Sequence, residues 1–118
     1  MGQTPSYIVD SAGNQTKLSN DYVVIVKEDW CSVCKGLTNL LKQIPGATTS
    51  NNIHRLTLKD VDRQVKFGSL VRQAYKQKKA QFGSIPLLLR VRNGRLVASQ
   101  VGSGDLQNVA NFMAGLKL

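Results

Sequence analysis

Acidic residues are scarce in this chain of 118 residues: seven Asp and Glu against sixteen Lys and Arg, for a formal charge of +9. The shortage is local. Residues 1–62 hold six acids and six bases, whereas residues 63–118 hold ten bases and the single acid Asp105. A basic half beside a neutral half suits an acidic protein surface, a nucleic acid or an anionic ligand, with a coat kept for solubility as the plain alternative. Long apolar runs are missing too, and none approaches the ~20 residues of a membrane span. The start, MGQTPSYIVD, lacks the basic and apolar stretches of a secretory signal. It fits the acylation pattern M-G-x-x-x-[ST] at Gly2, but Pro5 sits inside the pattern and a plain start codon is the simpler reading. Cysteine is down to two residues and histidine to one, His54. A structural zinc site needs four ligands, so one chain alone does not make one and no metal is expected. A close pair of cysteines without an export signal favours a reducing interior, here read as the cytoplasm.

What is present describes one domain over residues 1–118, large enough for a core without staples. Residues 1–20 are polar and rich in Gly, Asn and Ser, and read as loosely structured or as one short strand near Tyr7 to Val9. The run YVVIV (22–26) suits a strand buried on both faces. Cys34, Leu37, Leu41 and Ile44 recur at helical spacing until IPG (44–46) breaks the pattern. IHRLTLKDVD (53–62) alternates around Leu56 and Leu58 and reads as a strand. Phe67, Leu70, Val71, Ala74 and Tyr75 give a helical stripe with Ser69 as a candidate N-cap. IPLLLRV and RLVASQV flank Asn93-Gly94, a strong hairpin signal, and Leu106, Val109, Met113 and Leu116 mark a closing helix. Parallel strands joined by helical crossovers plus an antiparallel pair make an α/β layered domain with a mixed sheet flanked by helices.

Both cysteines lie in DWCSVCKG (29–36). Cys31 falls where a strand hands over to a helix, so its sulfur meets unpaired N–H groups and the positive end of the helix dipole. Cys34 lies one turn deeper on the apolar stripe. That arrangement makes Cys31 the exposed, ionisable thiol and Cys34 the shielded one. Lys27 and Lys35 add positive charge nearby, opposed by Glu28 and Asp29. Two other readings stay open: a metal or cluster shared between two chains, and a pair of inert core thiols.

WCSVCK (30–35) resembles the thioredoxin active site, W-C-G-P-C-K, and SIP (84–86) resembles the segment carrying that family's cis-proline. The spacing from Pro86 through the hairpin glycine to Gly102 is similar as well. The resemblance runs from about Tyr22 to Leu118 and implies a thioredoxin-like fold with a shortened N-terminal unit. It implies a protein-disulfide reductase in which Cys31 is the nucleophile and Cys34 the resolving thiol, with Lys27 and Lys35 as auxiliaries. Trp30, Ile85, Pro86 and Gly102 would line the substrate surface, the Ile85 backbone pairing with an extended partner beside a cis Pro86. No bound cofactor is implied, only an external reductant: thioredoxin reductase with NADPH, or glutathione.

The chain departs from the family in three places. Ile25 stands where thioredoxins carry a buried aspartate six residues before the first cysteine, and Leu58 is read as standing for its lysine partner. Ser32-Val33 replaces Gly-Pro. The stretch from Asp62 to Pro86 is long, which with VGSGDL (101–106) and Lys27 resembles the glutathione-using glutaredoxins. There Gly102 to Asp105 would hold a glutathione carboxylate. Arg72, Lys76, Lys78 and Lys79 on the basic helix, with Arg90, Arg92 and Arg95 at the hairpin, are read as flanking Pro86 and steering acidic disulfide-bearing substrates. Nucleic acid competes as a partner, but no recognised binding motif is present. A non-redox binding module using the basic half is the alternative from another functional class.

Overall fold

The computed structural model describes residues 6–10 and 12–118, so the acylation pattern at Gly2 lies outside the described residues. The chain runs β1 (Tyr7–Val9), β2 (Gln15–Lys17), β3 (Asp21–Val26), α1 (Ser32–Leu41), β4 (Ile53–Leu56), α2 (Leu58–Asp62), α3 (Val65–Gln77), β5 (Leu87–Arg92), β6 (Arg95–Val101) and α4 (Leu106–Met113). Four strands form the central sheet in the order β4-β3-β5-β6. β3 pairs parallel to β4 and antiparallel to β5, and β5 pairs antiparallel to β6 across the Asn93-Gly94 turn. β1 and β2 make a separate antiparallel pair, one strand more than the polar N-terminal stretch suggests.

β3 is buried on both faces, as its unbroken apolar run requires. Tyr22, Val24 and Val26 pack with Phe67, Val71 and Ala74 of α3 on one side. Val23 and Ile25 pack with Leu37 and Leu41 of α1 and with Val109 and Phe112 of α4 on the other. Burial of one such side chain is worth roughly 1.5–3 kcal/mol, so the two layers hold the sheet firmly.

The stretch 53–62 is not one strand. β4 stops at Leu56, and Thr57 caps a new helix. Thr57 Oγ1 accepts from the Asp60 N–H at 3.2 Å, while Asp60 Oδ2 accepts from the Thr57 N–H at 2.9 Å. This reciprocal box ends extended pairing where the Leu56/Leu58 alternation suggested it would continue. Leu58 therefore does not lie in the sheet. The residue registered beside Ile25 in β4 is Arg55. α3 also begins earlier than expected, at Val65, with Gly68 and Ser69 inside the helix rather than at its start.

Candidate active site

α1 begins at the end of β3, and Cys31 is its N-cap residue. Its Sγ accepts from the Cys34 N–H at 3.1 Å, taking one of the donors the first helical turn leaves unpaired. Cys31 and Cys34 are joined in a disulfide, with Cα atoms 5.2 Å apart. Cys31 is 7 % exposed and Cys34 2 %, so in the disulfide both are buried and Cys31, expected as the exposed thiol, is only the less buried of the two. Trp30 beside it is 75 % exposed.

The loop before β5 faces this pair. Cys31 Sγ lies 4.0 Å from the Ile85 carbonyl oxygen, and the Ile85–Pro86 peptide is cis. Pro86 is buried and Ile85 half-buried. The Gly102 N–H donates to the Pro86 carbonyl at 2.8 Å, which fixes the end of β6 against the loop. Gly102 has φ +88, a conformation glycine adopts freely, and a Cβ there would meet nothing within 4 Å. The backbone angle, not crowding, calls for glycine. Trp30, Cys31, Ile85, Pro86 and Gly102 therefore gather at one end of the sheet.

Around the deeper sulfur, a cavity of about 170 Å³ is lined by Lys27, Glu28, Asp29, Cys34, Lys35 and Thr38. Lys27 Nζ pairs with the fully exposed Asp29 at 3.3 Å. Glu28 Oε1 accepts from the Leu58 N–H at 3.0 Å, tying the site to α2. Thr38 Oγ1 donates to the Cys34 carbonyl at 3.2 Å. A second cavity of about 540 Å³ is lined by Trp30, Leu58, Lys59 and Arg63 together with Glu28 and Asp60, so charge there is mixed. Arg55, registered beside Ile25, is half-buried, and loss of water lowers its pKa from the usual arginine range. The sequence marks Glu28, alongside Lys27 or a water, as a substitute proton acceptor for Cys34, but does not single out Arg55 or Thr38. The helical spacing from Cys34 to Thr38 is visible in the sequence, but the reach of Glu28 to α2 depends on a helix where the sequence pattern favours a strand.

One expected grouping is not found: the hairpin arginines do not flank Pro86. Arg90 is not a surface steering charge: it is 5 % exposed and paired bidentately with Asp21, Nε to Oδ1 at 3.1 Å and NH2 to Oδ2 at 2.8 Å. Arg92 and Arg95 sit at the hairpin turn, while Leu87 and Val101 close the other end of the same strands. Six strand residues span roughly 17–20 Å, so the hairpin arginines lie at the far end of the sheet from Pro86. At α4, Asp105 Oδ1 accepts from the Asn108 N–H at 2.8 Å and Asn108 Oδ1 accepts from the Asp105 N–H at 2.9 Å.

A strand-to-helix junction carrying C-x-x-C, opposite a cis-proline loop at the start of a β5–β6 hairpin, sits on a four-stranded mixed sheet with helices on both faces. Solved structures share this fold over most of the chain. The germline-specific thioredoxin Deadhead of Drosophila melanogaster aligns with a TM-score of 0.51 and 24% identity, covering 83% of this chain and 82% of that one. Mitochondrial thioredoxin 3 of Saccharomyces cerevisiae, in its oxidised form, gives 0.54 at 15% identity, over 83% and 80%. Schistosoma mansoni thioredoxin gives 0.50 at 19%, over 84% and 79%. The chain has the thioredoxin fold. No family model matches the sequence, and no curated protein matches it. Within this fold the C-x-x-C pair occupies the carboxyl end of a central strand, where an α/β sheet opens a crevice between its loops. Among the described residues no group of His, Cys, Asp and Glu is arranged to hold a metal ion.

Proposed function

We propose that this protein is a thiol–disulfide oxidoreductase that reduces protein disulfides through Cys31 and Cys34. The observation that carries the reading is the placement of Cys31 Sγ at the N-terminus of α1, 4.0 Å from the Ile85 carbonyl, with Cys34 shielded behind it. In the reduced protein the Cys31 thiolate attacks one sulfur of the substrate disulfide, forming a mixed disulfide and expelling the other substrate sulfur as a thiolate. Cys34, deprotonated, then attacks Cys31 Sγ, releasing the second substrate thiolate and leaving the Cys31–Cys34 disulfide. Two electrons pass to the substrate, and an external dithiol or thiol reductant restores the pair. The substrate strand lies along Ile85–Pro86, bordered by Trp30 and Gly102.

Ile25 offers no carboxylate to take the Cys34 proton. Glu28, Lys27 and Asp29 border the cavity that reaches Cys34, so the proton leaves through that opening. Resolution is then slower than attack, because solvent replaces a positioned buried base. For the electron donor we favour the thioredoxin-reductase type over glutathione. The Asp105/Asn108 box already fills donors at the α4 N-terminus that a glutathione carboxylate would use, and Lys27 is engaged with Asp29. We place the activity in a reducing compartment such as the cytoplasm; among the described residues no helix is long and apolar enough to cross a membrane.

The test is turnover of a protein disulfide with a thioredoxin-reductase system and, separately, with glutathione and its reductase. Cys31→Ser should abolish turnover, and Cys34→Ser should trap the mixed disulfide. Turnover that survives Cys31→Ser, or no turnover with either donor, rejects the reading in favour of a binding module.

A further inference from the structure

The positive charge near the proposed site is not spread evenly. On the Trp30 side, acids and bases alternate around the larger cavity. On the α3 side, the last turn and its exit carry Lys76, Lys78 and Lys79, all exposed. None of the three takes part in an ion pair among the described residues. The chain then leads straight to the cis-proline loop. Tyr75 OH donates to the Ser84 carbonyl at 2.7 Å, two residues before Pro86, and the Ala80 N–H donates to the Tyr75 carbonyl at 3.0 Å. These bonds tie the end of α3, where the lysines stand, to the loop that enters Pro86. Phe82 lies between them and Pro86 in sequence, its ring 5.2 Å from that of Tyr75 and 54 % exposed.

A lysine at a helix C-terminus complements the dipole, and that alone is an ordinary reason for Lys76 and Lys78. It does not account for Lys79. The Ala80-to-Tyr75 and Lys79-to-Lys76 hydrogen bonds close α3 in a Schellman motif, and Lys79 occupies its left-handed position at φ 52. Glycine takes that conformation without penalty, whereas a side chain pays for it. The lysine side chain is exposed and makes no hydrogen bond or ion pair among the described residues, so the fold does not return the cost.

We propose that Lys76, Lys78, Lys79 and Phe82 form a dock for an acidic, extended segment of the disulfide-bearing protein substrate, next to the strand that pairs with Ile85–Pro86. The inference rests on the oxidoreductase reading and names the substrate class it serves. The lysines supply long-range attraction and Phe82 an apolar anchor at the rim. A set of cations without ion pairs among the described residues, on the approach to the cis-proline loop, raises the local concentration of acidic partners without touching the sulfur chemistry.

The test compares two disulfide peptides of one length, one with Asp and Glu flanking its cysteine and one with Asn and Gln. Wild type should favour the acidic peptide in kcat/KM by about ten-fold at low ionic strength, with the preference collapsing in high salt. Lys79→Gly should raise the melting temperature while cutting the preference, and Lys78→Glu with Lys79→Glu should reverse it. Arg92→Glu with Arg95→Glu makes the same four-charge change at the far end of the sheet and should leave the preference at the wild-type ratio. Equal kcat/KM for the two peptides, or an equal loss from the hairpin variant, overturns the dock. Reduction of a small uncharged disulfide reports the thiol chemistry by itself, so failure of that chemistry is seen separately. In that event, titration of the acidic peptide onto the Cys31→Ser protein decides the dock. An oligonucleotide of the same charge binding more tightly than the peptide would overturn it in favour of nucleic acid.

Discussion

Arg90→Met offers the sharpest test of how the fold is held away from the dithiol. The guanidinium is buried, grips the Asp21 carboxylate through two nitrogens, and donates from NH1 to the carbonyls of Phe112, at 3.2 Å, and Ala114. It thereby joins the start of β3 and the middle of β5 to the end of α4. Methionine keeps much of the apolar stem but leaves the two carbonyls without this donor. Asp21 fares better, because its side chain is 27 % exposed and Arg92 stands 3.7 Å away. Removing one partner of a buried pair costs about 3–5 kcal/mol, and hydrogen bonds to a charged group about 1.5–3 kcal/mol each. These overlap, so ~4 kcal/mol is a fair expectation for the whole clamp. With an unfolding entropy of ~2.1 cal/mol/K per residue, that lowers the melting temperature by about 16 °C. Chemical denaturation with and without Asp21→Asn, as a double-mutant cycle, isolates the pair. The Arg90 guanidinium beside Asp21 holds that carboxyl below its usual range. The folded pKa is depressed, so the stabilisation is complete above the unfolded value near 3.9 and is lost as pH falls through the folded one. Asp21→Asn should flatten that acid limb. A melting-temperature loss under about 4 °C for Arg90→Met, equivalent to ~1 kcal/mol, would refute the clamp.

Other consequences follow from local chemistry. Burial, then the charge of Arg55, lowers the His54 pKa, and its Nε2, beside Tyr22, is buried with no hydrogen-bond partner among the described residues. The folded state therefore favours neutral imidazole: stability is complete above the unfolded pKa near 6.5 and falls as pH drops toward the folded one, by at most about 1.4 kcal/mol per pH unit. Denaturation at pH 7 and pH 5 should show this slope in wild type and lose it in His54→Leu; parallel behaviour would count against it. Thr57→Ala removes the α2 cap and should cost ~1 kcal/mol, read as a drop of about 4 °C in melting temperature. Glu28→Gln keeps an acceptor for the Leu58 N–H while removing the charge at the Cys34 cavity. It should therefore leave the melting temperature in place and slow release of the mixed disulfide more than its formation in rapid-mixing experiments. Equal slowing of both steps would argue against proton exit through that cavity.

Much of this architecture could be read from residue order. Tyr22 to Val26 announced a strand buried on both faces, and Asn93-Gly94 announced the hairpin, because both signals are local and depend on few neighbours. The Cys31 N-cap was legible for the same reason: a strand, a break and a helical stripe fix where the first sulfur falls. Reasoning from Leu56 and Leu58 failed where two local signals competed. Alternation favoured a strand, but the Thr57/Asp60 capping box fixes the backbone more strongly and turned the chain into α2. That error carried forward, since it put Leu58 beside Ile25 and hid Arg55.

The basic half shows the limit of composition as a guide to surface. Net charge counts Arg90 as one of ten cations, yet burial against Asp21 removes it from any long-range role. Arg92 and Arg95 keep their exposure but lie a strand length from Pro86. Only topology separates these charges from the lysines at the end of α3, because each α3 lysine reaches the site through a loop rather than through proximity in a charge count. Steering falls off within a Debye length of about 8 Å at physiological salt. The hairpin arginines, a strand length from Pro86, lie beyond that range, whereas the lysines sit where α3 hands over to the loop that enters Ile85–Pro86. A +9 chain can thus present a selective surface, and its selectivity resides in which charges the sheet carries to the dithiol end.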